Sequence, residues 1–446
     1  MAKVEFVIPS VLNKGEGEKK VSVDANTLQD AINAITSIFG EEFSRRVLDS
    51  NGKPRSLINI YVNGKNMRFT GGMTTSLKDG DQVIILPAVA GGADLDNKEL
   101  ERYSRQIMLE DIGFEGQLKL REAKFCVVGI GGLGTVIASQ LTAMGVGTLR
   151  IVDRDVIEIS NLHRQTLFND SDMGQVKVEV AAKRLKQMNP NVNVEPLPVS
   201  ITDFTAPKVV EGCDVVIDGL DSVNARYSLN YACLQLNIPY VYGGAIGLLG
   251  SACTIIPNQT ACLRCIFPSL DDNEMPTCST EGIHPSVLSV IAGVEVSEAI
   301  KIIIGQQPRL TNKLLYFDLK DLTFDLIDVK RHEDCASCGN GKKEAHPALK
   351  EKLLIEELCG RERGKRTYSI TPIDLLNIDV KTIENKAVKS GFNVEASGAM
   401  GVTLRQNGKL SVSLLKSGAA VIVGAKDQHD AVKIYKSLVP SLNFLH

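Results

Sequence analysis

No stretch of the chain approaches the roughly 18 uninterrupted apolar residues that a membrane-spanning helix needs. The opening residues, MAKVEFVIPS, lack the apolar core of a signal peptide, so a cytoplasmic location is expected. An excess of one charge is also missing: Lys and Arg number 50 against 53 Asp and Glu, a formal net charge of −3. Without a basic field, neither nucleic-acid binding nor adhesion to an anionic membrane is expected. Repeats of fixed period and low-complexity tracts are absent too. What is present is ordinary globular chemistry, 43% hydrophobic and 23% charged, which excludes disordered, collagen-like and disulfide-stapled classes. Its 446 residues suffice for about three domains. In a reducing compartment the ten cysteines stay reduced unless they serve a metal or a reaction.

Punctuation divides the chain into three segments with different periodicities. Residues 1–92 read as strands around one helix. Lys3–Ile8 and Lys20–Val23 form a hairpin, and Leu28, Ala31, Ile32, Ile35 and Ile38 recur at helical spacing behind a cap at Asp24 or Asn26. Ser56–Lys65 runs into an Asn63-Gly64 hairpin turn, and Leu77–Gly92 closes a β-β-α-β-β order, that of a small β-grasp domain. From about residue 98 to 338, strands alternate with helices: Ala123–Val128, Thr148–Asp155, Asp214–Gly219 and Tyr240–Ala245 against helical runs such as Val176–Met188 and His284–Ile304. That grammar predicts an α/β domain with a doubly wound, mostly parallel sheet and ligands at its C-terminal edge. A charged stretch, Gly339–Lys352, leads into a small α+β domain over 353–446, with three strands and a helix across Gly401–Val439.

Gly129-Ile130-Gly131-Gly132-Leu133-Gly134 follows a strand and opens a helix, a place where backbone N–H groups can approach a phosphate. Asp153 ends the next strand, where a ribose-binding acid sits in such folds. The turn alone does not separate ATP from a nicotinamide cofactor, and an oxidoreductase stays open on that feature. The flanking residues favour ATP. Cleaving a triphosphate needs fixed positive charge and a carboxylate for magnesium, and the chain supplies Arg105, Arg164, Lys177 and Asp221. Asp155 reads as a second magnesium partner or a helix cap.

Cys262-x-x-Cys265 and Cys335-x-x-Cys338 form two thiol knuckles, a set that suits a closed tetrahedral zinc site of structural rather than catalytic role. A redox dithiol is the other reading. Cys278 lies in a polar loop before a long helix, where the helix N-terminus favours a thiolate. Cys126, Cys213, Cys233 and Cys253 read as core, and His163 and His284 as surface or capping residues.

RYSRQIML, GIGGLGTVIASQLTAMGVGTLRIVDRDVIEISNLHRQTLF, GQVKVEVAAKRLKQMNP and VVIDGLDSVNARYSLN together resemble the MoeB/ThiF-type adenylyltransferases that activate ubiquitin-like sulfur carriers. The resemblance runs from about Glu99 to Val329. It implies that Gly129, Gly131, Gly132 and Gly134 hold ATP, with Asp153 at the ribose. Ser160, Asn161 and Arg164 would line the phosphates, Arg105 and Lys177 would neutralise them, and Asp221 would position magnesium. It also implies zinc at the four cysteines and a homodimer in which Arg164 reaches the neighbouring site. At Ser222 the family often has Asn, which puts that residue's contact with the nucleotide in question. In some relatives the cysteine matching Cys278 bonds covalently to the carrier; in others it is dispensable.

The first segment resembles the MoaD-like sulfur carriers, and Leu86–Gly92 (LPAVAGG) resembles their ending. Here Gly92 is bonded to Ala93, so the carboxylate that would be activated exists only as an amide. The intact chain is therefore not expected to adenylate its own tail. Either cleavage frees residues 1–92, or the fused domain docks a separate carrier or aids assembly. The reaction expected is adenylation of a carrier's C-terminal glycine, followed by sulfur transfer for molybdenum cofactor from an outside sulfur donor. The alternatives are a Cys278 thioester serving protein conjugation or tRNA thiolation, and a non-catalytic scaffold. The third segment resembles weakly the repeat of TATA-binding proteins; a docking role is expected of it rather than DNA binding.

Overall fold

The computed structural model describes all residues except 10, 11, 13–18, 56, 57, 88–94, 273–279, 340–352, 359–364 and 440–446. Cys278, the Gly91-Gly92 ending and nearly all of the expected linker fall outside the described residues. The chain forms two compact units, Met1–Glu122 and Ala123–His446.

The first unit has strands β1 (Ala2–Ile8) and β2 (Lys19–Ala25), helix α1 (Leu28–Val47), strands β3 (Ile58–Val62), β4 (Lys65–Asn66) and β5 (Gln82–Pro87), then α2 (Asn97–Ile107) and α3 (Gly113–Glu122). The sheet order is β2-β1-β5-β3-β4, with β1 and β5 parallel at its centre. This is the expected β-grasp arrangement. The α1 cap is Thr27, not Asp24 or Asn26: its hydroxyl accepts from the Asp30 N–H while Asp30 accepts from the Thr27 N–H. Only this reciprocal pair satisfies both orphan donors.

Strand periodicity sends Val4, Phe6, Ile8, Val83 and Ile85 toward α1, and Val7, Tyr61, Ile84 and Leu86 to the opposite face. That second face is also apolar, and Leu95, Leu100, Tyr103, Ile107 and Phe114 cover it. The compact unit runs to Glu122, and α2 and α3 supply the second cover of β5, which is buried on both sides.

The second unit carries β6 (Lys124–Val128), α4 (Gly132–Met144), β7 (Thr148–Val152), α5 (Lys177–Met188), β8 (Asn193–Leu197), α6 (Ala206–Val210), β9 (Val215–Asp218), α7 (Val223–Gln235), β10 (Tyr240–Ile246) and β11 (Leu249–Ile255). It continues with α8 (Leu263–Ile266), α9 (Pro285–Ile304), β12 (Lys313–Asp318) and β13 (Thr323–Asp328). The strand order is β13-β12-β11-β10-β9-β6-β7-β8. The pairs from β10 to β8 are parallel, while β11, β12 and β13 add on antiparallel. The order reverses between β7 and β9, on either side of β6, which makes the C-terminal end of β6 the switch point of the fold.

Within the same unit follows a six-stranded antiparallel sheet of order β14-β15-β19-β18-β17-β16. Its elements are β14 (Leu353–Leu358), β15 (Thr367–Pro372), α10 (Val380–Lys389), β16 (Asn393–Ser397), β17 (Gly401–Gln406), β18 (Leu410–Leu415), β19 (Ala420–Val423) and α11 (Gln428–Leu438). The two helices close its core around Ile383, Ala387, Ala431 and Tyr435. Among the described residues no helix is long and apolar enough to cross a membrane.

Candidate nucleotide site and thiolate cluster

The glycines after β6 divide by what surrounds them. Gly129 has φ +92°, and a Cβ there would collide with the Gly219 carbonyl; a Cβ at Gly134 would collide with the Gly129 carbonyl. These two are fixed by backbone packing. Gly131 is different: a Cβ would meet only the Gln165 side chain, at 3.8 Å. Gly132 lies under Leu288 of α9, with Arg164 Cδ 3.5 Å from its virtual Cβ. The turn is thus closed below and open at Gly131, where α4 presents unpaired N–H groups that favour an anion.

Asp153 joins β7 to this turn. Its Oδ2 accepts the Ile130 N–H at 2.7 Å and its Oδ1 the Asp155 N–H at 2.7 Å. Burial raises its carboxyl pKa, against the pull of Lys177. Each oxygen keeps a second lone pair, which a ribose hydroxyl can use. Lys177 opens α5 and is buried at 5% exposure, its Nζ 3.3 Å from Asp155 Oδ2. A cation at the positive end of a helix opposes the helix dipole, so this placement suits an anionic ligand better than it suits the helix.

Arg164 follows a short turn at Ile159–Asn161 and donates to the Ser160 carbonyl at 2.8 Å. Ser160 is exposed, and Asn161 is buried in the same turn, its amide toward the Ser160 hydroxyl at 3.4 Å. The aliphatic part of Arg164 lies beside Gly132 of its own chain. Arg105 belongs to the first unit, where Nη1 donates to the Asn63 carbonyl at 2.7 Å in the β3–β4 turn.

Asp221 is exposed in the loop after β9. Ser222 caps α7 through the Ala225 N–H and donates to Asp272 Oδ2 at 2.8 Å. Asp272, which the sequence reading missed, also accepts the Val223 and Asn224 N–H groups at 2.5 and 3.1 Å. Two further groups carry this corner. Asp218 is fully buried and accepts from Arg226 Nε at 3.1 Å and the Tyr240 hydroxyl at 2.6 Å. Arg226 also holds the Leu220 and Gly243 carbonyls at 2.6 and 2.9 Å. Burial pushes the Asp218 carboxyl up, opposed by Arg226. An Arg eight residues beyond a strand-ending Asp was the signal available in DGLDSVNAR. The structure thus brings Gly129–Gly134, Asp153, Asp155, Lys177, Arg164, Asp221 and Ser222 to the C-terminal ends of β6, β7 and β9.

The thiols of Cys262, Cys265, Cys335 and Cys338 lie within 4.8 Å of one another, with Cys262–Cys335 at 3.6 Å and Cys265–Cys338 at 3.4 Å. Four thiolates at about 2.3 Å from one zinc ion stand about 3.8 Å apart, so the residues fit the metal. Four protein ligands leave no open position for a reaction. Cys126, Cys213, Cys233 and Cys253 are buried, as read from the sequence, and the His284 ring caps α9 by accepting the Ser286 N–H at 3.2 Å.

A glycine turn at a parallel-sheet switch point, ringed by acids and cations and joined to a four-thiol cluster, defines a nucleotide-binding α/β protein of the activating-enzyme type. The ThiF family matches residues 103–337, more than half of the chain, and the chain belongs to the ThiF family. The ThiS family matches residues 10–92. The chain is 38% identical over 248 residues to the SAMP-activating enzyme E1 of Haloferax volcanii, 55% of this chain and 92% of that one. It is 35% identical over 269 residues to the sulfur carrier protein adenylyltransferase of Thermus thermophilus, 59% of this chain and 97% of that one. With the adenylyltransferase and sulfurtransferase MOCS3 of Culex quinquefasciatus it shares 36% identity over 285 residues, but spans only 63% of that protein. Among solved structures it is similar to E. coli MccB, with TM-score 0.50 and 26% identity over 59% of this chain and 77% of that one.

Proposed function

We propose that this protein adenylates the C-terminal glycine of a ubiquitin-like sulfur carrier at the expense of ATP, releasing pyrophosphate. The observation that supports this most directly is Lys177, buried at the positive end of α5 beside Asp155 and one loop from the open face of Gly131. Such a placement is costly for the fold alone and favourable once a triphosphate shares the site. Arg164, beside Gly132, is the second cation, and Asp153 receives the ribose. For Arg105 the charge-neutralising role rests on the family resemblance alone.

The reaction is a displacement at the α-phosphorus. A carboxylate oxygen of the carrier's terminal glycine forms the new P–O bond, and the α–β bridging bond breaks with its electron pair leaving on pyrophosphate. Sulfide-level sulfur from an outside donor then attacks the acyl carbon of the adenylate, the acyl–O bond breaks with AMP as the leaving group, and a thiocarboxylate results, in the direction of molybdenum cofactor. Asp221 would hold magnesium beside the triphosphate, where the ion would supply positive charge. The four cysteines hold zinc as a staple. The protein acts in the cytoplasm as a homodimer.

The carrier is a separate ubiquitin-like protein or residues 1–92 after cleavage. With Gly92 in an amide, the uncut chain offers no attacking oxygen. The test is ATP–pyrophosphate exchange with and without residues 1–92 supplied as a separate protein ending in a free Gly92 carboxylate. Exchange that depends on this addition supports the reading. Background exchange with residues 1–92 removes them as the carrier; background exchange with separate ubiquitin-like sulfur carriers as well overturns the reading and favours a scaffold, and protection from heat by NAD rather than by ATP with magnesium favours an oxidoreductase.

A further inference from the structure

The C-terminal sheet, Leu353–Leu438, lies outside the regions matched by the ThiF and ThiS families. Two sets of its contacts with the rest of its unit fall on either side of the Asp155–Lys177 pair. On the α5 side, Glu179 stands two residues after Lys177, and its Oε1 and Oε2 accept the Ala399 and Met400 N–H groups at 2.8 and 2.9 Å. Gly398 presses on the same carboxylate so closely that a Cβ would collide with it. A Cβ at Gly401 would stand 2.7 Å from Val176, the residue before Lys177. Thr403 donates to the Gly174 carbonyl at 2.7 Å, and Gly174 itself has φ +75°.

On the β7 side, Arg154 lies between Asp153 and Asp155. Its Nη1 reaches Ser369 Oγ at 3.3 Å and Glu356 Oε2 at 3.5 Å on β15 and β14. A further anchor, from the Ser417 hydroxyl to the Pro198 carbonyl, follows β8. The β16–β17 turn thus grips the start of α5 while β14 and β15 hold the end of β7, the two places from which Lys177 and Asp155 project.

We propose that the C-terminal domain is a positioning element of the nucleotide site, acting on Lys177 through Glu179. The proposal rests on the functional reading above. A carboxylate that accepts two backbone N–H groups is a stiff, charge-assisted link. It ties the first turn of α5 to the β16–β17 turn from outside the helix. Glu179 touches no phosphate and is a positioning residue. A domain that merely hung on the surface would not need a set of contacts at residue 154 and another at 174–179 besides its anchors at Pro198 and Lys208.

The test is a double-mutant cycle on the full chain, read by calorimetric ATP affinity and by the ATP KM and kcat of pyrophosphate exchange with a separate ubiquitin-like carrier ending in a free Gly-Gly carboxylate supplied. Glu179→Ala is expected to weaken ATP binding about tenfold, and Lys177→Ala more. The double variant should lose little beyond Lys177→Ala, because residues that act through one another are not additive. Gly398→Ala keeps the charge but displaces the carboxylate, and is expected to weaken ATP in the same direction. Lys208→Ala removes only the exposed Lys208–Asp374 anchor of the same domain, 3.5 Å, and should leave ATP affinity within twofold. ATP affinity unchanged in Glu179→Ala, or losses that simply multiply in the double variant, overturns the proposal. Should Glu179→Ala fail to fold, Gly398→Ala decides in its place. An intact wild-type chain that binds no ATP overturns the functional reading itself, a distinguishable result.

Discussion

Arg226 pairs with Asp218 at 3.1 Å beneath the loop that bears Asp221, and the same guanidinium holds the Leu220 and Gly243 carbonyls. Asp218 is fully buried, so removing its partner leaves an uncompensated charge. Arg226→Ala is expected to destabilise the unit by about 3–5 kcal/mol in urea denaturation. Arg226→Lys should recover only part of this, because one ammonium cannot reach all three acceptors as a planar fork does. A loss below about 1 kcal/mol would mean that the pair is not buried as described.

The glycine turn gives a contrast between two neighbouring substitutions. Gly134→Ala places a methyl against the Gly129 carbonyl and is expected to abolish soluble folded protein or lower its melting point sharply. Gly131→Ala meets no backbone, so circular dichroism and melting should stay near those of the parent. Its ATP affinity should nevertheless fall at least tenfold, because the methyl occupies the approach to the α4 N–H groups. A Gly131→Ala protein that binds ATP normally would place the phosphates elsewhere.

Glu295 and Glu298 sit one turn apart on α9 with opposite fates. Glu298 accepts from Thr254, Lys301 and the Arg309 and Leu310 N–H groups, while both Glu295 oxygens are buried without a hydrogen bond. Burial pushes the Glu295 carboxyl well above the ordinary 4.5, with Asp218 adding to the rise. A carboxyl whose folded value is raised contributes fully below the unfolded value, and that contribution is lost as pH rises through the folded value. Glu295→Gln removes the titration. It should therefore match the parent's melting point below pH 4.5 and exceed it increasingly as the solution becomes alkaline. A pH-independent difference would contradict this.

The thiol cluster predicts about one zinc per chain by elemental analysis. Cys335→Ser with Cys338→Ser is expected to lose the metal and to lower the melting point, and prolonged chelation should do the same to the parent. The glycine turn shares no residue with the cluster. Zinc loss with unchanged ATP affinity at low temperature therefore fits a staple, and loss of exchange activity before any loss of structure would instead give the metal a catalytic part.

Much of the architecture was legible from periodicity. β6 and β9 are continuous apolar runs ended by glycine or acid, and their helices follow at 3.6-residue spacing. β8 (NVEPL) is an edge strand with a proline and little apolar signal, and it was not found. β15 (TYSITP) was hidden for another reason. Its buried Thr367, Ser369 and Thr371 read as polar, yet Ser369 faces Arg154 of the neighbouring sheet rather than water. At the site, single-residue chemistry such as Lys177 and the cysteine pairs was visible. Asp272, Arg226 and Glu179 were not, because each works through backbone groups brought close only by tertiary folding.

Gly129, Gly134 and Gly219 meet around the Gly129 and Gly219 carbonyl oxygens with no room for a methyl at any of the three. The strands β6 and β9 and the helix α4 are thereby seated against one another main chain to main chain. A library randomised at these three codons should return almost only the parental combination, however well the rest of the scaffold has been stabilised. Any redesign of nucleotide preference must be written into the loops around this knot, never into the knot itself.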